Sequence, residues 1–210
     1  MRLILARHGE TGYNRKRMMQ PSDKPVLTGL GIKQSKKLAE YLSHEGIDVI
    51  FCSPATRARQ TLEHIREKVD VPVFFEPLVE ERNPGAWAGK PVDDFIACRR
   101  SQNLKSYEFK PEGGESLGDV RRRARLFWEK VRGRHADETV LLVSHSRFNG
   151  LFMGFLLGMP LEQSSETGKQ SNCAVHELLI SEGKAHALKN NYDGFLGPLA
   201  SPATDSADDN

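Results

Sequence analysis

Apolar and polar positions alternate along this chain in two distinct periods, short apolar runs separated by longer stretches of helical spacing. Five runs read as strands by length and β-branched content: residues 2–6 (RLILA), 48–52 (DVIFC), 72–75 (PVFF), 139–143 (TVLLV) and 174–180 (AVHELLI). A weaker sixth lies near 185–189. The early runs are continuous rather than alternating, which suits strands covered on both faces.

Between them, Ile32, Ser35, Leu38, Ala39 and Leu42 recur at helical spacing within 28–45, and Gly46 closes the run. Ser53-Pro54 predicts another helix start, with Ser53 as N-cap and Pro54 in the first turn. Residues 116–131 carry an inner face of Leu117, Val120, Ala124, Phe127, Trp128 and Val131, and 148–157 form a further helix. Strands alternating with helices predict an α/β fold. The expected architecture is a three-layer sandwich with a central, mostly parallel sheet and helices on both faces. The polar stretch 90–114 breaks the alternation and is expected to form a small helical insertion, a lid over the site. Residues 1–196 read as one domain, and the small, polar, acidic residues 197–210 as a disordered tail.

Composition narrows the function classes. The 210 residues are 38% hydrophobic and 28% charged, with a net charge of +2. That balance argues for neither nucleic acid nor an anionic membrane surface as partner. No apolar run approaches the ~20 residues of a membrane span, and no signal-peptide core is visible. Cys52, Cys98 and Cys173 are odd in number and lack disulfide-framework or metal-ligand spacing. The expected setting is therefore a reducing cytoplasm, with no metal.

Charged residues gather where the strands end. Arg7-His8 follows the first strand, Ser53 and Arg57 the second, Glu80-Glu81 the third and Ser144-His145 the fourth. A lone histidine at a strand end is usually a packing residue. In an open parallel sheet, however, the carboxyl ends of the strands share one edge, where ligands bind. Arginines bind phosphate oxygens in pairs of hydrogen bonds. A histidine nitrogen can attack phosphorus, and a carboxyl group can protonate a departing oxygen. The glycine-lysine-serine pattern of a P-loop is absent.

These residues resemble the histidine phosphatase superfamily, in its phosphoglycerate-mutase-like branch. Arg7-His8-Gly9-Glu10-Thr11-Gly12-Tyr13-Asn14 is similar to R-H-G-x-T-x-x-N, and Leu27-Thr28-Gly29-Leu30-Gly31 to L-T-x-x-G. Residues 53–61 (SPATRARQT) match S-P-x-x-R-A-x-Q-T, and 81–89 (ERNPGAWAG) match E-x-x-x-G-x-W-x-G. Gly113-Gly114-Glu115-Ser116 and Val143-Ser144-His145 match G-G-E-S and V-S-H. The resemblance implies His8 as nucleophile, and Arg7, Arg57 and His145 as the pocket for the transferred phosphoryl group. Glu81 would be the general acid, with Glu80 as fallback. Asn14, Gly9, Thr11, Ser146, Gln20 and Glu80 are the expected phosphate or substrate contacts, Gly9 because a bare backbone can approach a phosphate closely. A backbone carbonyl near Gly9 is expected to anchor the second ring nitrogen of His8.

The resemblance implies no cofactor, and a small phosphate ester as partner, with a second copy of the chain as a possible homodimer partner. The chain departs from the family at Ser146, where glycine is usual, with Arg147 after it, and in the glycine-free loop 17–23. Three readings stand: a phosphomonoesterase working through phosphohistidine, a cofactor-dependent phosphoglycerate mutase, and a non-catalytic phospho-ligand binding protein. The complete residue set disfavours the last. The short insertion, with Asp93, Asp94 and Glu108, favours hydrolysis over a mutase's basic insertion. Phe95, Tyr107 and Phe109 are expected to cover the substrate's organic part, and Arg99-Arg100 to lie on a solvated helix face.

Overall fold

The computed structural model describes residues 1–166 and 169–201. Six strands are found among them: β1 (Arg2–Arg7), β2 (Val49–Cys52), β3 (Val73–Phe75), β4 (Thr139–Ser144), β5 (Val175–Ser181) and β6 (Lys184–Tyr192). They form one sheet in the order β3-β2-β4-β1-β5-β6. The first four pair in parallel, and β5 and β6 are added antiparallel at one side. The helices are α1 (Gly12–Arg15), α2 (Gly29–Leu42), α3 (Thr56–Arg66), α4 (Val92–Ser101), α5 (Leu117–Val131), α6 (Ser146–Leu156) and α7 (Leu161–Glu166).

Strand pleating sends alternate side chains to opposite faces, so the continuous apolar runs feed two cores. Leu3, Leu5, Phe51 and Leu142 pack with Val120, Ala124 and Phe127 of α5 and Phe148 and Phe152 of α6. Ile4, Ala6, Ile50 and Val143 pack with Leu38 and Leu42 of α2 and Ala58, Leu62 and Ile65 of α3. The expected three-layer α/β architecture is what the chain adopts. Registers place Arg7 beside Ser144 and Cys52 beside Val143. The residues that follow, His8, Ser53 and His145, therefore emerge together at the carboxyl edge.

Several local expectations need correction. Ser53 does not cap α3: the N-cap is Ala55, without a side-chain bond, and Pro54 lies outside the helix. The Ser53 hydroxyl is instead engaged with His145 Nε2 at 2.9 Å. Ile32 is not on the inner face of α2 but 40% exposed. The beginning of the expected tail is ordered. A 3-10 turn, Gly194–Leu199, buries Leu196, and Gln34 Nε2 donates to the Leu199 carbonyl. Residues 202–210, the rest of that tail, lie outside the described residues.

The insertion contains α4, but its aromatic residues turn inward. Phe95 and Phe109 are buried with Val92 in a small cluster that Trp87 and Leu104 cover, and Tyr107 packs against the core beside α5 and α6. Arg99 is buried rather than solvated, whereas Arg100 is exposed.

Gly9 and Gly31 explain how α2 docks on the sheet edge. A Cβ on Gly9 would stand 2.5 Å from the Gly31 carbonyl oxygen, and one on Gly31 2.1 Å from the Glu10 carbonyl oxygen. Gly9 is thus required by close approach to α2. Overpacking of this kind forces the backbone apart and typically costs ~1–3 kcal/mol. Gly31→Ala is expected to lower stability by about 2 kcal/mol or more in urea unfolding. An unchanged midpoint would show that the contact does not constrain the fold.

Candidate active site

His8 leaves β1 with its ring fixed from both sides. Nδ1 lies 2.8 Å from the Gly9 carbonyl oxygen, which can only accept, so Nδ1 carries the proton. Nε2 then presents a lone pair, and it accepts from Arg57 Nε at 3.2 Å. The main chain is equally held. His8 N–H donates to the Ser144 carbonyl, the His8 carbonyl accepts from Asn172 Nδ2 at 3.0 Å, and Gly9 N–H donates to Thr61 Oγ1 at 3.0 Å. That last bond removes Gly9 N–H from the expected phosphate donors.

Two arginines flank this ring, both almost wholly buried. Arg57, 1% exposed, comes from the first turn of α3 and also donates from Nη1 to the Pro21 carbonyl at 3.0 Å. Arg7, 4% exposed, donates to the Gln170 carbonyl. Burial pushes both guanidinium groups down to about 10, against the pull of the Glu81 carboxylate, so both remain cations at neutral pH. Burial, with Arg57 and Arg7 beside it, holds His8 well below the usual imidazole range. The nucleophile candidate is therefore neutral.

His145 faces His8 edge-on, with ring centroids 5.2 Å apart. Ser53 Oγ accepts from Ala55 N–H, and its own proton can go to His145 Nε2. The proton of His145 then sits on Nδ1, which is buried and has no hydrogen-bond partner among the described residues. Burial first, then Arg57, holds this imidazole low as well. Two neutral histidines and two cations make a pocket with unmet positive charge, suited to a phosphoryl dianion.

Glu81 completes the edge by docking on a helix end. Its Oε2 accepts from Arg147 N–H at 3.2 Å, and its Oε1 from Phe148 N–H at 3.1 Å and Arg82 N–H at 2.9 Å. It serves α6 as the cap that His145, the N-cap residue, does not provide. A cavity of about 390 Å³ opens beside Arg57 and Glu81, lined also by Gln20, Ser22, Glu80 and Asn83. Residues 90–114 do not line it, so the aromatic lid expected from Phe95, Tyr107 and Phe109 is not found there.

The other candidates divide. Gln20 and Glu80 line the cavity. Thr11 is fully buried and caps α1, its hydroxyl 3.0 Å from both Asn14 Oδ1 and Gln20 Oε1. Asn14 is buried beneath it, with Oδ1 accepting from Thr11 N–H and Asn172 Nδ2. Ser146 opens α6 and its Oγ accepts from Gln170 N–H at 3.1 Å, tying the helix start to the segment that holds Arg7.

Sequence reasoning missed the residues that suspend the Glu81 loop. Arg123 of α5 uses all five N–H groups. They go to Glu115 Oε1 and Oε2 and to the carbonyls of Leu78, Glu80 and Glu81. Glu115 Oε2 also accepts from Asn83 N–H. Glu115 stands in the G-G-E-S motif, so that motif carried the signal. Arg123 sits in an RRRAR run with nothing to single it out. Among the described residues, no group of three or more His, Cys, Asp or Glu is placed to hold a metal ion. No helix among them is long and apolar enough to cross a membrane.

Comparison with known proteins decides the family. Residues 3–193 match the histidine phosphatase superfamily (branch 1). The chain belongs to that superfamily. This histidine phosphatase is 33% identical over 202 residues to phosphoserine phosphatase 1 of Hydrogenobacter thermophilus, covering 94% of this chain and 95% of that one. It is 30% identical over 187 residues to a probable phosphoglycerate mutase of Yersinia pestis, covering 87% and 86%. Among solved structures, mycobacterial glucosyl-3-phosphoglycerate phosphatase superposes with a TM-score of 0.81 at 26% identity, over 91% of this chain and 99% of that one.

Buried neutral histidines make this histidine phosphatase acid-sensitive. His8, His145 and His176 all sit below their ordinary value of 6.5, His176 pushed down to about 4 by burial. The unfolded chain thus binds more protons than the folded one as pH falls. Stability is full above about pH 6.5 and is lost on acidification toward pH 4. His176 alone accounts for roughly 3 kcal/mol at pH 4. Urea midpoints should fall steadily between pH 7.5 and pH 4.5, and His176→Gln should flatten that slope.

Proposed function

We propose that this protein is a phosphomonoesterase acting on a small phosphate ester through phosphohistidine at His8. The observation that supports this most is the state of His8: Nδ1 anchored on Gly9, Nε2 bearing a lone pair, and burial and two cations keeping the ring neutral. The phosphoryl group sits against Arg7, Arg57 and the Nδ1–H of His145. Nε2 attacks phosphorus in line, displacing the weak Arg57 Nε bond. The P–N bond forms as the P–O bond to the leaving group breaks, and Glu81, entering the step as the carboxylic acid, gives that oxygen its proton. Water then enters from the vacated side, Glu81 takes its proton, and the P–N bond breaks to release inorganic phosphate and neutral His8. Arg7 and Arg57 offset charge on the equatorial oxygens throughout, where electrostatics do most of the work.

Hydrolysis is favoured over mutase chemistry by the place of the insertion's basic groups. Arg99 is buried in the insertion, Arg100 and Lys105 are exposed, and none lines the cavity. A clamp for the carboxylate of a phosphoglycerate is not supplied from there.

His8→Ala is expected to abolish phosphate release and the acid-labile, alkali-stable phosphoenzyme seen after rapid quench. A phosphoenzyme surviving in that variant sinks the assignment. Glu81→Gln is expected to slow esters of poor leaving groups by about 100-fold or more and p-nitrophenyl phosphate far less, because a good leaving group needs little protonation. Arg123→Met should repeat that leaving-group pattern in milder form, since it loosens the loop that presents Glu81. A chelator is expected to leave turnover unchanged, and 3-phosphoglycerate to show no isomerisation.

A further inference from the structure

The cavity beside Arg57 and Glu81 is where the organic part of a phosphate ester must lie, and most of its charges are already committed. Arg123 has no N–H left for a ligand. Both Glu115 oxygens are taken by Arg123, one also by Asn83 N–H. Arg82 is buried and donates to the carbonyls of Glu115 and Phe109. Both Glu81 oxygens are held by backbone N–H groups.

Glu80 differs. Its Oε2 accepts from the Ser22 hydroxyl at 2.6 Å across the cavity wall. Its Oε1 is left open among the described residues. Beside it, Gln20 accepts from Thr11 through Oε1 and Asn83 accepts from Gly85 N–H through Oδ1, so each amide nitrogen is left open among the described residues. The unspent groups are therefore one carboxylate oxygen and two neutral amides. The remaining lining is Arg57, which the phosphoryl group takes, and aliphatic surface from Pro21, Pro77, Pro84 and Ala88, with no aromatic platform.

We propose that the substrate's organic part is an uncharged, hydroxyl-bearing group, as in a polyol or sugar phosphate, and that Glu80 is the residue that rejects esters carrying a second anion. This rests on the phosphomonoesterase reading of the same site. Hydroxyls can donate to Glu80 Oε1 and accept from the amides of Gln20 and Asn83. A carboxylate in that place would face Glu80 while Arg57, the cation nearest to both, is held by the phosphoryl group, and like charges brought together discriminate strongly against the wrong partner.

The test is a matched pair, glycerol 3-phosphate and 3-phosphoglycerate, in which a hydroxymethyl group is exchanged for a carboxylate. Phosphate release is followed for both, with O-phosphoethanolamine and p-nitrophenyl phosphate alongside. In the native protein kcat/KM is expected to favour glycerol 3-phosphate over 3-phosphoglycerate by about tenfold or more. Glu80→Gln should narrow that ratio, and Glu80→Lys should narrow it further or invert it. Each ratio is taken within one variant, so a general loss of activity does not affect it. Equal use of the two esters by the native protein overturns the proposal, as does a ratio that neither variant moves. Preference for O-phosphoethanolamine over glycerol 3-phosphate overturns the hydroxyl class in favour of an ammonium. If p-nitrophenyl phosphate is hydrolysed but the ratio fails, only this inference falls. If no ester, p-nitrophenyl phosphate included, yields phosphate or phosphoenzyme, the phosphomonoesterase reading falls and this one with it.

Discussion

Two guanidinium groups are buried at the carboxyl edge of the sheet, and the rest of the site is arranged around that fact. A buried cation without a partner is costly, and Arg7 and Arg57 share the nearby Glu81 carboxylate. The structure meets the cost in part with carbonyls: Gln170 for Arg7, Pro21 and Ser22 for Arg57. What is left over is a positive field directed at His8 and His145. Burial first, and that field after it, keep both imidazoles neutral, and the field attracts a dianion. The same buried arrangement therefore favours both a neutral His8, the proposed nucleophile, and a bound dianion.

The acid side depends on a different device, one of backbone packing. A Cβ on Gly85, which has a φ of +56°, would meet the Glu112 carbonyl at 2.1 Å, and one on Gly114 the Asn83 carbonyl at 2.6 Å. These glycines let residues 112–115 lie directly on 83–85. Glu115 can then reach Arg123 and Asn83 N–H together. The loop carrying Glu80 and Glu81 hangs from that junction, and Glu81 is pinned at its far end to the start of α6. A defect in the glycines or in Arg123 would reach the chemistry without touching a ligand.

The layers of the fold were legible because buried parallel strands are written as continuous apolar runs, and those of β1, β2 and β4 could be read directly. The meeting of Arg7, His8, Arg57 and His145 was legible because these residues stand where such runs end. What could not be read depends on contacts between distant segments. Gly9 looked like an opening for phosphate and is a seat for α2. Ser53 had the form of a helix cap, and its hydroxyl is used on His145, 92 positions away. Phe95 and Phe109 were indistinguishable from a lid until their burial showed them to be the insertion's own core. Arg123 looked like its neighbours in RRRAR, because only the path of the 78–81 loop sets it apart.

These two devices separate binding from selection. On the proposed reading, the ends of β1 and β4 and the start of α3 position the phosphoryl group through main-chain registers that allow little change. The leaving group meets loop residues, Gln20, Ser22, Glu80 and Asn83, whose side chains can vary without disturbing any core. A fold by itself does not name a substrate, and relatives named for phosphoserine, phosphoglycerate and a glucosylated phosphoglycerate share this one. On the proposed reading, selection in this protein comes from the charge left open in that loop chamber. With Arg57 turned to the phosphoryl group, Arg123 saturated and Glu115 neutralised by it, the charge left toward the organic part is the carboxylate of Glu80. The position that reads as a second, redundant acid beside Glu81 in the sequence is, in three dimensions, where the proposed choice between esters would be made.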